Sequence, residues 1–258
     1  MGVEVNLEGK IALITGASSG LGSRFAKVLA MGGAQVVLAA RRIDRLKELR
    51  AEIEAEGGAA HVVALDVTDY ASIKSAIAHA ETEAGPLDIV VNNAGVSTTQ
   101  RLVDVTPEDY DFIMNTNLKG AFFVAQEAAK RMIQRAKGDP KRQHRIINIA
   151  SVAGQRILPQ IGVYCMSKAG AIHMTKAMAV EWGKYGINVN TICPGYIETE
   201  INADHFNSEH GKKLIDMLPR KRVGQPQDLD GLLLLLAADE SHFINGAVIS
   251  ADDGMTAQ

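Results

Sequence analysis

The chain has 258 residues, of which 47% are hydrophobic and 22% are charged, the usage of a globular protein with enough apolar material for a full core. This composition excludes a disordered chain. The 27 basic and 30 acidic residues give a formal charge of −3, so the chain has no overall positive field that would attract nucleic acid or an anionic membrane.

Seven short apolar runs, rich in β-branched residues, alternate with longer helical patterns. They are residues 11–15, 35–40, 61–65, 88–92, 145–150, 187–193 and 247–250. Because the runs are continuously hydrophobic, they predict strands that are buried on both faces, as in parallel sheets. The expected fold is α/β: a single-domain Rossmann fold over residues 1–258, with a doubly wound, seven-stranded parallel sheet and helices on both faces.

The intervals between these runs carry helix signals. Between the second and third runs, an amphipathic crossover helix is predicted by an apolar stripe of Ile43, Leu46, Leu49 and Ile53. A second stripe precedes the last strand and consists of Leu229, Leu232, Leu233 and Leu236. Thr106 followed by Pro107 is typical of a helix N-cap with proline at the first helical position.

Two segments depart from this alternation. Residues 135–145 form a polar, basic connection that we interpret as a solvated loop outside the core, with a docking patch as the alternative. Residues 198–219 follow a predicted strand directly, at the edge of the sheet where α/β proteins bind ligands. We therefore predict that 198–219 is a lid over a substrate site.

The first predicted strand runs into a turn that contains Gly16, Gly20 and Gly22, and a helical pattern follows it. Glycines let the backbone approach a pyrophosphate closely, and the helix N-terminus offers free N–H groups to an anion. The spacing differs from GxGxxG, and a purely structural turn is the alternative. The context of strand, turn and helix favours a dinucleotide loop.

This TGxxxGxG turn and four further motifs resemble the short-chain dehydrogenase/reductase family, of the 3-oxoacyl reductase-like type. The further motifs are NNAG at 92–95, Ser151 thirteen residues before Tyr164, YxxxK from Tyr164 to Lys168, and Pro194-Gly195 followed by Thr199. The resemblance extends from about residue 9 to about residue 254, and the joint order and spacing of the motifs make it specific.

The resemblance implies a set of site residues. The cofactor contacts would be Gly16, Ser18, Ser19, Gly20, Leu21, Asp66, Val67, Asn93, Ala94, Gly95, Tyr164, Lys168, Pro194, Gly195, Ile197 and Thr199. The catalytic residues would be Asn117, Ser151, Tyr164 and Lys168. From the residues alone, Asp66 has an equal alternative as a turn or N-cap residue. Asn117 would support a water-linked proton path to Lys168, or its amide would satisfy a distorted helix.

The end of the second strand bears on the choice of cofactor. An acidic residue there would bind the ribose hydroxyls of NAD, but the strand ends Ala39-Ala40-Arg41-Arg42. Because guanidinium groups bind phosphate well, we predict NADP(H) rather than NAD(H), with Arg41 as the main contact and Arg42 as a second candidate. The alternative is a pair of surface charges. Ser19 departs from the basic residue that many NADP-preferring members carry at that position.

The reaction centre follows from the chemistry of hydride transfer, which develops negative charge on a ketone oxygen. On a helix from Val163, Tyr164 and Lys168 share one face, so the ammonium is expected to lower the pKa of the phenol toward neutrality. Ser151 ends the fifth strand and can bond the substrate oxygen, with a turn-forming serine before Gly154 as the alternative. We predict an NADP(H)-dependent oxidoreductase that interconverts a ketone and a secondary alcohol, with Tyr164 as general acid/base.

Two other functions are considered. A non-catalytic dinucleotide sensor on the same fold would not need these four catalytic residues. A sugar-nucleotide epimerase or dehydratase shares YxxxK. Those relatives usually have a different glycine spacing and a longer C-terminal substrate domain, and this chain shows neither feature.

The expected partner is a small carbonyl or alcohol substrate, for which a 3-oxoacyl thioester is one candidate, and the resemblance also implies a homotetramer. Its interfaces would be the helices that begin near Leu118 and Val163, with small residues Ala125, Ala128, Ala129, Ala169 and Ala177 at the contacts.

Neither a metal nor a membrane is expected. Cys165 and Cys193 lie far apart, the histidines lack metal-ligand spacing, and reduced cysteines fit a cytoplasmic protein. Residues 1–8 lack the apolar core of a signal peptide, and the longest apolar run, 232–238, is too short to cross a bilayer.

Overall fold

The computed structural model describes residues 5–139, 142–200 and 202–257. Its strands are β1 (Ile11–Thr15), β2 (Gln35–Ala40), β3 (Ala59–Ala64), β4 (Ile89–Asn92), β5 (His144–Ile149), β6 (Ile187–Pro194) and β7 (Val248–Ala251). They form one parallel sheet in the order β3-β2-β1-β4-β5-β6-β7. The predicted seven-stranded parallel sheet is confirmed, and each strand lies within two residues of its predicted bounds.

Helices connect the strands and cover the sheet. They are α1 (Gly20–Met31), α2 (Ile43–Ala55), α3 (Tyr70–Glu83), α4 (Pro107–Met114), α5 (Ala121–Ala136), α6 (Gly162–Trp182), α7 (Ala203–Asn207), α8 (Glu209–Asp216) and α9 (Asp230–Ala237). Thr106 caps α4 as predicted, because its side chain accepts the Asp109 N–H and the Asp109 side chain accepts the Thr106 N–H. None of the described helices combines the length and apolar character needed to cross a membrane.

Alternate strand residues enter two separate cores, one on each face of the sheet. Leu38 of β2 belongs to the core that includes residues of α1, α2 and α9, whereas its neighbour Val37 belongs to the core that includes residues of α3, α5 and α6. This two-sided burial explains why the strands are continuously hydrophobic. The strand order reverses between β2-β1 and β1-β4, so a crevice opens beyond the carboxyl ends of β1 and β4.

The interpretation of 135–145 as a solvated loop is wrong at its C-terminal end. β5 begins at His144, and Arg145 is only 2% exposed. The Arg145 guanidinium donates to the carbonyls of Ala238 and Asp239, which satisfies a charge that the sequence pattern placed in solvent. Pro140 and Lys141 lie outside the described residues.

Two further cations of this segment, Arg135 and Arg142, are also paired within the chain. Arg135 lies 2.6 Å from Glu81, and Arg142 lies 2.7 Å from the buried Asp88. These partners come from α3 and from the start of β4, which are distant in sequence. Arg135 and Arg142 therefore stabilise the fold. Both the solvated-loop interpretation and the docking-patch interpretation are wrong for these two residues.

We expect His144 to make the fold sensitive to acid. Its side chain is fully buried, and neither ring nitrogen has a hydrogen-bond partner among the described residues. Burial, and then the positive charges of Arg135, Arg142, Lys10 and Arg145, lower the pKa of His144 to about 4. The unfolded chain binds a proton near pH 6.5, so the His144 contribution to stability is present above that pH and is lost as the pH falls toward 4.

Between pH 7 and pH 5 this linkage should remove about 2 kcal/mol of unfolding free energy. Asp88 also faces the ring, at 4.0 Å, and its charge would offset part of the loss. Urea unfolding of wild type and His144→Leu at both pH values measures the effect, with the exposed His79→Gln as control. Equal losses in wild type and His144→Leu would contradict the assignment.

Candidate active site

A cleft of about 580 Å³ lies at the carboxyl ends of the central strands. Every predicted cofactor contact lines it, including Arg41 and Arg42, and so do the predicted catalytic residues Ser151, Tyr164 and Lys168. Asn117 is the one predicted site residue that does not line the cleft. The volume is in the range of small-molecule and cofactor sites.

The glycine turn forms one wall of the cleft and is locked to the NNAG segment. The Thr15 hydroxyl oxygen accepts the N–H groups of Asn93 and Ala94, at 3.0 and 3.1 Å, and the Asn93 amide donates to the Thr15 carbonyl. Gly16 has a φ of +67°, and a Cβ there would lie 2.9 Å from the Ala94 Cα. Glycine is therefore required at 16 both by backbone conformation and by space.

Replacing Gly16 with alanine tests this requirement. We expect Gly16→Ala to destabilise the fold by about 2–4 kcal/mol and to weaken NADPH binding more than tenfold, because strain and crowding act together. Gly57→Ala is the matched control: Gly57 also has a positive φ, of +86°, but a Cβ there would meet nothing within 4 Å. Thermal unfolding and a fluorescence titration with NADPH measure both variants, and equal effects would show that crowding at Gly16 plays no part.

Helix α1 begins directly after this turn. Its N-cap residue, Ser19, has extended backbone and makes no side-chain capping bond. The first N–H groups of α1 therefore have no cap from this side chain, and the positive end of the helix dipole faces the cleft that Ser19 and Gly20 line. This is the arrangement that binds a phosphate group.

The two arginines after β2 have different surroundings. The Arg42 guanidinium donates to the hydroxyls of Ser18, at 3.0 Å, and Ser19, at 2.7 Å. Arg41 lines the cleft and has no hydrogen bond or ion pair with any residue that the structure describes. Arg42 thus brings to the glycine turn the positive charge that Ser19 itself lacks. The prediction that Arg41 is the main phosphate contact stays a prediction, and the geometry gives Arg42 at least equal standing.

Asp66 lines the cleft and also makes the turn that leads toward α3. One of its carboxylate oxygens accepts the N–H and the hydroxyl of Thr68, at 2.9 and 2.7 Å. These hydrogen bonds, and the charge of Arg41, lower the pKa of Asp66 below its usual value. The Asp66 side chain therefore acts as a turn residue, which was the alternative to a cofactor contact. A contact between Asp66 and adenine stays a prediction.

Ser151, Tyr164 and Lys168 converge at the carboxyl ends of β5 and β6. Ser151 follows β5, its hydroxyl oxygen accepts the Ala153 N–H at 3.1 Å, and it lies close enough to Tyr164 to lower the pKa of the phenol. The Lys168 Nζ lies 5.6 Å from the centroid of the Tyr164 ring and donates to the carbonyl of Ile149 at 2.8 Å. The predicted neighbourhood of phenol, hydroxyl and amine is therefore present in the fold.

The pKa of Tyr164 departs in the direction opposite to the one predicted. Burial raises it, and the neighbouring Ser151 hydroxyl opposes only part of this rise. Burial also lowers the pKa of Lys168 to about 8. Loss of hydration outweighs the effect of the ammonium on the phenol, because both groups are buried.

Asn117 lies behind the wall of the cleft, in a π-helical turn from Asn115 to Gly120 that joins α4 to α5. It is 2% exposed. Its amide exchanges two hydrogen bonds with the backbone of Val96 and donates a third to the Ser167 hydroxyl, at 3.0 Å. The side chain thus joins the π-helical turn to the segment after β4 and to α6, one residue before Lys168, and these hydrogen bonds go to its neighbours rather than to the distorted helix itself. The water-linked proton path stays a prediction.

Four polar residues that line the cleft were not predicted from the sequence: Thr68, Thr116, Tyr196 and Asn202. Tyr196 follows the Pro-Gly motif, and its ring packs against Phe206 of α7 with centroids 6.1 Å apart. Asn202 accepts the Thr199 N–H at 2.7 Å and donates to the Ile197 carbonyl. The available signal was an aromatic residue directly after the motif, and an Asn three residues after Thr199, typical of a side chain that bonds nearby backbone.

Comparisons with known proteins agree with this geometry. A family model described as Enoyl-(Acyl carrier protein) reductase matches residues 16–256. Gluconate 5-dehydrogenase of Gluconobacter oxydans is 37% identical over 252 residues, which cover 97% of this chain and 96% of the relative.

Solved structures extend the likeness to three dimensions. A short-chain type dehydrogenase/reductase from Mycobacterium marinum has a TM-score of 0.92 at 38% identity, covering 99% of this chain and 98% of that chain. A gluconate 5-dehydrogenase from Burkholderia cenocepacia in complex with NADP and tartrate has a TM-score of 0.93 at 35% identity, with the same coverage. The family predicted from the motifs is thereby confirmed: the chain belongs to the short-chain dehydrogenase/reductase family.

Proposed function

We propose that Ser151, Tyr164 and Lys168 are the reacting centre of an NADP(H)-dependent enzyme. The protein is an oxidoreductase that interconverts a ketone and a secondary alcohol by hydride transfer, with Tyr164 as the general acid/base. The observation that carries the proposal is that Ser151, Tyr164 and Lys168 line the same cleft as the glycine turn, with the Lys168 Nζ 5.6 Å from the centroid of the Tyr164 ring. The solved relative in complex with NADP supports the cofactor.

The chain's own groups would act on the carbonyl oxygen. When bound, NADPH supplies the hydride, which no side chain here can provide. Tyr164 donates its proton to the developing alkoxide, and its raised pKa keeps the phenol protonated at neutral pH. Ser151 donates a hydrogen bond to the same oxygen, and the Lys168 ammonium stabilises the phenolate that remains. The reverse reaction uses the same groups in the opposite protonation states.

We infer that the substrate is a small polyhydroxylated molecule, because the curated relative acts on gluconate and polar residues such as Asn202 and Thr199 line the cleft. NADPH oxidation with the keto forms of sugar acids and polyols, with 3-oxoacyl thioesters and with simple ketones tests this. Turnover of thioesters alone would move the substrate to the 3-oxoacyl class. Tight NADPH binding without turnover of any carbonyl would favour the non-catalytic sensor instead.

The cofactor preference gives a prediction for the two arginines. Wild type should have a higher kcat/KM with NADPH than with NADH, and Arg41→Ala and Arg42→Ala should each lower the value for NADPH about tenfold, with little change for NADH. Arg45→Ala is the control, because Arg45 is an exposed arginine of α2 that pairs with Glu48 outside the cleft. A preference of wild type for NADH would defeat the assignment.

We propose that the whole chain acts as one catalytic domain with a lid at 198–219. This segment contains α7 and α8, and Ile201 lies outside the described residues. Backbone hydrogen bonds join the two ends of the segment. The Glu198 N–H donates to the Gly224 carbonyl and the Gly224 N–H donates to the Tyr196 carbonyl, both at 2.8 Å. A segment that leaves and returns at one point of the cleft rim can move without disturbing the sheet.

We also propose a homotetramer, with one correction to its expected contacts. Ala125, Ala128 and Ala129 are buried within the chain against the sheet, so they are not available to a partner subunit. The exposed apolar residues of these helices, such as Phe122 and Val180, are better candidates. A monomeric mass in solution would refute the tetramer. A cytoplasmic location, in which both cysteines would stay reduced, remains a prediction.

A further inference from the structure

Asp253 has an unfavourable backbone conformation. Among the described residues other than glycine, three have a positive φ: Gln160, Lys221 and Asp253, the last at +57°. L-residues rarely adopt this left-handed region, and such strain persists only where surrounding contacts hold it. The contacts of Asp253 therefore indicate what its side chain does.

Both carboxylate oxygens of Asp253 pair with arginines that directly follow the proposed lid. Arg220 Nε lies 3.2 Å from Oδ1, and Arg222 Nε lies 3.4 Å from Oδ2. The Asp253 side chain is only 23% exposed, and Lys221, between the two arginines, is itself left-handed. Each of the two segments that these ion pairs join thus contains a residue with a positive φ.

The turn that carries Asp253, residues 252–256, contacts two segments beside the cleft. A Cβ on Gly195 would lie 2.8 Å from the Asp252 Cα, so the turn packs directly on the Pro-Gly motif. The Met255 carbonyl accepts a hydrogen bond of 2.7 Å from Arg156, in the segment after Ser151. The Asp252 carboxylate accepts the N–H and the hydroxyl of Thr256, which stiffens the turn.

We propose that Asp253 is a positioning residue for the carbonyl substrate: its ion pairs with Arg220 and Arg222 hold the end of the lid against the 252–256 turn, beside the reacting centre. The inference rests on the proposed function, since it assigns the pairs to substrate binding. Releasing the lid weakens contacts with substrate that are equal in the ground and transition states, so KM rises while kcat stays constant.

The first test is steady-state kinetics of Asp253→Asn and Arg220→Gln. Asparagine keeps the shape of aspartate and tolerates the left-handed region, so only the charge is lost. We expect each variant to raise KM for the carbonyl substrate about three- to fivefold, with kcat, the Kd for NADPH and Tm unchanged. The double variant should be no worse than Asp253→Asn alone, because that substitution already breaks both pairs. Arg50→Gln, which breaks an exposed pair on α2, should change nothing.

The second test needs no turnover. Arg220, Lys221 and Arg222 are trypsin sites, so Asp253→Asn should speed cleavage there, and higher salt should speed it in wild type more than in the variant. An unchanged rate of cleavage in Asp253→Asn would show that the ion pairs do not hold the end of the lid against the 252–256 turn. Faster cleavage with unchanged KM, or additive effects in the double variant, would overturn the role in substrate binding. Absence of turnover in wild type would instead count against the proposed function, and the cleavage result would still stand.

Discussion

Tyr164→Phe is expected to lower kcat for carbonyl reduction by about 10²- to 10⁴-fold while leaving the Kd for NADPH within about twofold. The substitution removes the one O–H group that the mechanism uses as proton donor and keeps the ring, which packs beside the Lys168 amine. Single-turnover measurement of NADPH oxidation isolates the chemical step. A fluorescence titration measures cofactor binding separately.

Tyr185→Phe is the matched control, because it removes a phenol that lies outside the cleft and packs against the core. It should leave kcat unchanged. Ser151→Ala should lie between the two, since it removes one hydrogen bond to the oxygen and leaves the proton donor. Near wild-type kcat in Tyr164→Phe would reject Tyr164 as the acid, and loss of NADPH binding would attribute the defect to a collapsed site.

The second large effect concerns Lys168 and pH. Burial lowers the pKa of Lys168 to about 8, so its ammonium is charged at pH 7 and loses its charge as the pH rises through 8. The charged form stabilises the phenolate that Tyr164 leaves behind, so kcat/KM for reduction should fall above about pH 8. Lys168→Met should lower kcat/KM at pH 7 by about 10²- to 10³-fold and remove this limb of the pH profile.

Lys168→Arg separates charge from titration. Arginine stays charged across this range, so the variant should keep part of the rate without a decline near pH 8. Stability gives an independent check, because the folded chain favours the neutral amine and stability should therefore rise between about pH 8 and pH 10.5 in wild type. Lys168→Met should lack that rise. A limb at pH 8 that survives in Lys168→Met would assign it to another group.

Much of the fold could be predicted because its signals are local in the chain. Strands such as Ile11–Thr15 are buried on both faces, and that burial is written as continuous hydrophobicity. The Thr106 cap and the glycine turn likewise depend on a few neighbouring residues. The order of strand and helix then selects a doubly wound sheet, which brings Ser151 and Tyr164 to the same edge.

Predictions failed where a property depends on partners that are distant in sequence. The charges of Arg135, Arg142 and Arg145 indicated exposure to solvent. In the fold they are bound by Glu81, by Asp88 and by the carbonyls of Ala238 and Asp239. The alanines of α5 suggested a subunit contact because small residues suit any close helix packing, within a chain or between chains.

The amino-acid sequence by itself determined the strands, the family and the glycine turn, and it nominated the proposed proton donor, since each is encoded in residue type and spacing along the chain. Only the tertiary structure decided that burial raises the pKa of Tyr164, that Arg42 rather than Arg41 lies on the glycine turn, and that Asp253 pairs with the arginines after the lid. Hydration and ion pairing depend on distances through space, and these exist only after the chain has packed.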